Sequence, residues 1–112
     1  MPKDLSNYRK TYNKLELLEE KCPENPMELF KSWFLNADES EMIDETNAMS
    51  ISTIGLDGFP KSRIVLLKKF TWEGFIFYTN YKSKKGEAIL NNPNVCLSFF
   101  WPSLEQQIII KG

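Results

Sequence analysis

Between Lys61 and Lys85 this 112-residue chain gathers seven of its 14 basic residues and a single acid, Glu73. Arg63 and Lys68 bracket the apolar run Ile64-Val65-Leu66-Leu67. Tyr78-Thr79-Asn80 ends the next apolar stretch, and Ser83-Lys84-Lys85 opens a polar one in which Ser83 can cap a short helix. A phosphate monoester suits such a set. It takes charge-assisted hydrogen bonds from Arg and Lys, neutral ones from hydroxyls, and backbone N–H groups at a helix start. Each charge-assisted bond contributes on the order of 1.5–3 kcal/mol net, so three of them hold a phosphate firmly.

The rest of the charge argues for a small anion over a long one. Twelve of the 15 acids precede Lys61, and the net charge is -1. A polyanion such as nucleic acid asks for a broader basic face than this. With no His and only Cys22 and Cys96, far apart, the chain lacks the ligands of a zinc or haem site. The two thiols fit a reducing cytoplasm. No apolar stretch approaches the length of a membrane span, and the polar start "MPKDLSNYRK" is unlike a signal peptide.

The elements that position these groups follow from periodicity. Residues 1–24 read as an arm or loose helix, with Leu5, Tyr8, Tyr12, Leu15 and Leu18 at three- and four-residue spacing. Residues 25–112 read as one domain. In "NPMELFKSWF", Asn25 caps, Pro26 fits the first turn and Glu28 completes a capping box. The acidic "NADESEMIDET" is expected to be a loop that ends the helical part. Five strands follow: "AMSISTIG", "SRIVLLKK", "FIFYTN", "VCLSFFW" and a last one begun by "EQQIIIKG". Asp57-Gly58 is a turn signal between the first two. The expectation is a mainly β chain with flanking helices, closed as an antiparallel barrel or curled sheet. A final strand with no following residue to cover its edge suggests a truncated chain or a covering partner.

One geometric difficulty attends the cations. Arg63 and Lys68 are five residues apart, so a regular strand points them to opposite faces. Either the strand bulges between them, or they meet different ends of an extended ligand whose ring uses the intervening backbone. Each signal also has an ordinary structural reading. Lys84-Lys85 suits a solvated turn, Tyr78 a core or interface aromatic, and Gln106-Gln107 plain edge-strand polarity.

The stretches "NPMELFKSWF", "NAMSISTIGLDGFPKSRIVLLKKF" and "GFIFYTNYKSKKGEAILNNPNVCLSFFWPSLEQQIIIKG" resemble the pyridoxine (pyridoxamine) 5'-phosphate oxidase family, in order and spacing, from about Asn25 to Gly112. "YRKTY" resembles that family's N-terminal arm. The resemblance implies an FMN-binding split β-barrel that forms a homodimer with FMN at the interface. It implies oxidation of pyridoxine or pyridoxamine 5'-phosphate to pyridoxal 5'-phosphate in vitamin B6 salvage. Hydride goes to the flavin, and O2 reoxidises it with release of H2O2. The cofactor then carries the redox chemistry and the protein orients it, so no catalytic side chain and no metal ligand is assigned.

Carried over by motif, FMN contacts fall on Arg63, Ile64, Val65, Leu66, Leu67 and Lys68, on Tyr78 and Thr79, on Lys84 and Lys85, and on Gln107 of "LEQQ". Lys68 also meets the substrate, and Arg9 and Tyr12 of the arm close over it. Two positions depart from the pattern. Lys84 stands where Arg is more common, exchanging a bidentate fork for a point charge, and Gln106 stands where "LERQ" has Arg. Two other readings remain: a split-barrel protein that binds FMN or pyridoxal phosphate without turnover, and a dimerisation domain using its aromatic face.

Overall fold

The structure, a computed structural model, describes residues 3–8, 17, 22–78 and 89–112. Helix α1 (Pro26–Ser40) is followed by strands β1 (Ala48–Ile54), β2 (Pro60–Thr71), β3 (Gly74–Phe77), β4 (Cys96–Trp101) and β5 (Gln106–Lys111). A single 3-10 turn, Pro102–Leu104, links the last two, and residues 89–91 are helical. The strands form one antiparallel sheet in the order β3-β2-β1-β4-β5. The expected hairpin of the second and third strands is thus present.

Helix α1 begins at the expected Asn25-Pro26, but the Glu28 bond of the expected capping box is absent among the described residues. Asn25 Oδ1 accepts from Met27 N–H at 2.9 Å, and Pro26 occupies the first turn, where its missing N–H costs nothing. The helix then runs five residues into the segment expected to be a loop, through Asn36-Ala37-Asp38-Glu39-Ser40. Burial explains the difference. Ala37 continues the inward stripe from Phe30, Trp33 and Phe34 and is fully buried, while Asn36, Asp38 and Glu39 face water. Polarity read along the chain hid a stripe that exists only around the helix. Glu41, in the left-handed region at φ 57°, stops it.

One face of the sheet packs on α1. Met49 and Ile51 of β1, Val65 and Leu67 of β2, and Leu97, Phe99 and Trp101 of β4 form the core with Phe30 and Ala37. The alternation expected for Val95, Leu97, Phe99 and Trp101 holds, with the last three buried. Phe30 sits at the centre. Its ring centroid lies 5.1 Å from Phe70, 4.9 Å from Phe75 and 5.3 Å from Phe99, the first two edge-on. One helical side chain therefore joins β2, β3 and β4. Trp101 Nε1–H donates to the Thr46 carbonyl at 3.3 Å, satisfying its buried donor.

The β1–β2 connection is built on Asp57-Gly58. Gly58 sits at φ 85°, where an L side chain is strained. Asp57 accepts from Phe59 N–H at 3.1 Å and from Lys61 Nζ at 3.1 Å. These bonds, the backbone one first, hold its carboxyl below the ordinary carboxylate range. Their contribution is present above that range and is lost as pH falls through the lowered value.

Both the aromatic hub and the turn can be tested by stability. Phe30→Ala removes the ring that ties three strands to the helix, and urea unfolding of the full-length protein should show a loss of about 3–5 kcal/mol. Gly58→Ala should lower stability by about 1 kcal/mol in the same measurement, with the circular dichroism spectrum unchanged.

Candidate functional site

The two lysines that follow "IVLL" decide the shape of β2. Leu67 is buried and Phe70 packs against the core, yet Lys68 and Lys69 between them are both exposed. Strict alternation cannot place residues three apart on one face. The register resolves this with a bulge: Leu67 pairs with Phe77 and Lys69 with Ile76, leaving Lys68 as the extra residue. A bulge is therefore present at Lys68 itself and not between Arg63 and Lys68, where the pairing with β1 stays regular through Leu66.

The bulge does not bring Arg63 and Lys68 to one face. Arg63 shares the inward parity of Val65 and Leu67 and lies opposite Ile51 in register, but near the strand's outer end, where it is exposed. Lys68 leaves the strand on the other side of the inward Leu67. The alternative reading, two cations meeting different parts of an extended ligand, is the one this arrangement suits.

Both cations are available to a ligand. Among the described residues the salt bridge is Lys61–Asp57 at 3.1 Å, and Arg63, Lys68 and Lys69 have no carboxylate partner there. The backbone between Arg63 and Lys68 is also accessible along one edge. Strand β3 pairs with β2 only from Leu67 to Thr71, so among the described residues the side of residues 60–65 away from β1 has no partner strand. Leu67 N–H points toward β1, donating to the Asn47 carbonyl at 2.8 Å. By alternation, the N–H and C=O of Val65 also point toward β1 and those of Ile64 toward the open edge.

The side chains of the run divide in the same way. Val65 and Leu67 are buried in the core, Leu66 is half-buried, and Ile64 is 64% exposed. Val65 and Leu67 thus turn their side chains into the core and their backbone N–H and C=O groups toward β1, and the groups facing the open edge are those of Ile64 and, by the same alternation, Leu66. Tyr78, just after β3, is 75% exposed and is not a core aromatic. Gln107 is exposed on β5, opposite Phe100. Strand β5 lies three positions from β2, which is about 14 Å at ordinary strand spacing. One chain does not bring Gln107 to the β2 edge. Thr79, Lys84, Lys85, Arg9 and Tyr12, with Ser83 and Asn80, lie outside the described residues.

The outward face carries a second feature. Across four strands, Ile64, Ser50, Ser98 and Ile109 stand in one row, and Phe100 lies one row along. Ile109 and Phe100 are 58% and 59% exposed. Large apolar residues thus flank a floor of serines. Two surface cavities, of about 140 Å³ beside Met27, Lys31 and Trp72 and about 660 Å³ beside Thr53, Asn94 and Gly112, are lined by neither Arg63, Lys68 nor Gln107.

The donor set fits a phosphorylated ligand with a polar ring: cations without a described carboxylate partner at both ends of a strand segment, and an open backbone edge between them. Such a group is held by charge at its phosphate and by backbone bonds at its ring.

The architecture is that of split-barrel FMN-binding proteins. PhzG from Burkholderia lata 383, solved in complex with tetrahydrophenazine-1-carboxylic acid, matches with a TM-score of 0.80 and 27% identity over 88% of this chain and 49% of its own. A pyridoxamine 5'-phosphate oxidase-related, FMN-binding protein from Nostoc punctiforme PCC 73102 shares the fold, with a TM-score of 0.67 and 19% identity over 78% of this chain and 46% of its own. The family model described as pyridoxamine 5'-phosphate oxidase matches residues 35–112, and the chain belongs to that family. Proteins named pyridoxine/pyridoxamine 5'-phosphate oxidase are 69% identical in Flavobacterium psychrophilum, over 98% of this chain, and 59% identical in Christiangramia forsetii, over all of it. The chain spans about half the length of these curated relatives, 51% and 52%.

Sequence reasoning treats Gln106 as plain edge-strand polarity and passes over Asn47; the structure gives each a specific environment. Gln106 has its Oε1 buried without a hydrogen-bond partner among the described residues, on the inward face opposite Trp101. Alternation along "QQIII" was the available signal for its inward direction. Asn47 contacts Leu67 from outside any strand, and no local pattern marks it. Replacing Gln106 with Met removes the buried acceptor at similar volume. Thermal unfolding of Gln106→Met should show a gain of roughly 1 kcal/mol.

Proposed function

We propose that the full-length protein is an FMN-dependent oxidase of vitamin B6 salvage, converting pyridoxine or pyridoxamine 5'-phosphate to pyridoxal 5'-phosphate. Oxygen is the acceptor and H2O2 the product; the amine substrate also consumes water and releases ammonia. One arrangement carries this reading. Arg63 and Lys68, with no carboxylate partner among the described residues, stand at either end of "IVLL" beside an open strand edge, in a chain of the pyridoxamine 5'-phosphate oxidase family.

In this reading Arg63 holds the FMN phosphate, and the backbone of residues 63–68 meets the ring. Tyr78, Thr79, Lys84 and Lys85 complete the grip, and Gln107 reaches the flavin from β5. Lys68 also contacts the substrate phosphate or ring. FMN, when bound, accepts hydride from the substrate's exocyclic carbon and delivers the electrons to oxygen. The chain's own contribution is to neutralise phosphate charge, orient the ring along β2 and hold the substrate beside it. Residues 1–24 act as an arm whose Arg9 and Tyr12 close over the substrate, and residues 25–112 belong to the FMN-binding domain.

A homodimer with the flavin at its interface is consistent with two observations. The exposed Ile64, Phe100 and Ile109 form an apolar face of the kind that subunits cover. The separation of Gln107 from β2 within one chain is accommodated when a site is shared by two copies. A cytoplasmic setting agrees with the free thiol of Cys96. Among the described residues no helix is long and apolar enough to cross a membrane.

The test uses the full-length protein. It should purify yellow, retain FMN through gel filtration and produce H2O2 from pyridoxamine 5'-phosphate and oxygen. Arg63→Ala should weaken FMN binding by about tenfold or more, measured by quenching of flavin fluorescence. Colourless protein that takes up no added FMN refutes the reading. Tight FMN binding without peroxide identifies a flavin carrier that does not turn over.

A further inference from the structure

The bulge at Lys68 needs something to hold it, and the structure shows what does. Asn47 lies just before β1. Its backbone carbonyl accepts from Leu67 N–H at 2.8 Å, and its side-chain Nδ2–H donates to the Leu67 carbonyl at 3.0 Å. In a regular antiparallel pair both bonds come from backbone groups. Here the second comes from a side chain, because the chain before Asn47 has already left the sheet for the 44–47 turn. The amide orientation is unambiguous, since only Nδ2 can donate to a carbonyl.

Position makes this bond consequential. Leu67 is the last inward residue before the bulge, and its carbonyl belongs to the peptide that joins it to Lys68. Rotation of that peptide changes the direction in which Lys68 leaves the strand. Fixing the carbonyl therefore fixes the departure of the Lys68 side chain. On the other side β3 resumes pairing only at Lys69. Lys68 is thus held between a side-chain clamp and a short strand, with no regular pairing of its own.

We propose that Asn47 is a positioning residue: its side-chain amide locks the Leu67–Lys68 peptide, sets the bulge and so aims the Lys68 ammonium at the phosphorylated ligand. The last step rests on the flavin and substrate reading given above; the clamp itself rests only on the two Asn47–Leu67 bonds. Asn47 touches no ligand in this scheme and acts through Lys68. A polar residue that merely stabilised the fold would lower stability everywhere and affect ligand binding whether or not Lys68 were present.

A double-mutant cycle with a local readout separates these cases, made in the full-length protein. Asn47→Ala deletes the donor. Asn47→Asp keeps the size but puts an acceptor against the Leu67 carbonyl, and serves if the alanine variant folds poorly. Each is combined with Lys68→Met. In the Lys68 background, FMN or pyridoxal 5'-phosphate should bind about five- to tenfold more weakly. In the Lys68→Met background, the same substitution should weaken binding by less than about twofold.

Amide hydrogen exchange of the flavin-free protein should accelerate at residues 67–69, by about tenfold, with Met49, Ile51 and Leu97 unchanged. Equal losses in both backgrounds overturn the proposal, as does exchange that rises uniformly across β1 and β4. Should wild-type protein bind neither ligand, the flavin reading fails and exchange alone decides the clamp. Acceleration confined to residues 67–69 then upholds it, and unchanged Leu67 exchange overturns it.

Discussion

A β-strand cannot turn Leu67 and Phe70 to the same core while keeping Lys68 and Lys69 in water unless it gains a residue. The alternatives are to bury an ammonium with no partner or to expose an aromatic that packs edge-on to Phe30. The bulge avoids both, and much else follows from it. It changes the inward parity of β2 midway, so that Val65 and Leu67 before it and Phe70 after it all face the core. It also leaves one lysine outside the regular ladder, where its direction is set by local bonds.

The aromatic cluster supplies the other half of that constraint. Phe30 contacts Phe34, Phe70, Phe75 and Phe99, so the helix is joined to strands on both sides of β1. Because Phe70 is held by this cluster, the second half of β2 cannot slip by a residue to restore regular alternation. The core thus enforces the bulge from one side, and Asn47 meets it from the other. Apolar packing and a single side-chain amide together determine where a cation stands. A site built on a strand in this way is firmer than one built on a loop, because the ladder with β1 pins the residues leading up to the bulge.

Much of the chain was legible in advance. Five strands, the Asn25-Pro26 helix start, the Asp57-Gly58 turn and the β2–β3 hairpin all rest on local chemistry: alternation, capping, a residue that tolerates positive φ, and short connections. The helix end was misread for a physical reason. "NADES" is polar along the chain, but Ala37 within it lies one turn beyond Trp33 and Phe34 and completes the buried stripe, and that shared face is seen only in helical projection. The "LLKKF" pattern did contain the bulge, since two outward lysines between inward apolar residues require it.

Residue order alone supplies an inventory: which residues are cationic, where the apolar run between them lies, and the family order of its motifs. Folding supplies the remainder, because direction and distance come from packing and not from spacing. It put Arg63 and Lys68 on opposite sides of one strand, left the edge between them without a partner strand among the described residues, and kept Gln107 three strands away. It also brought Asn47 to Leu67 across 20 residues of chain, a contact that no local pattern encodes. A hydrogen bond between a turn and a neighbouring strand exists only once the sheet has formed.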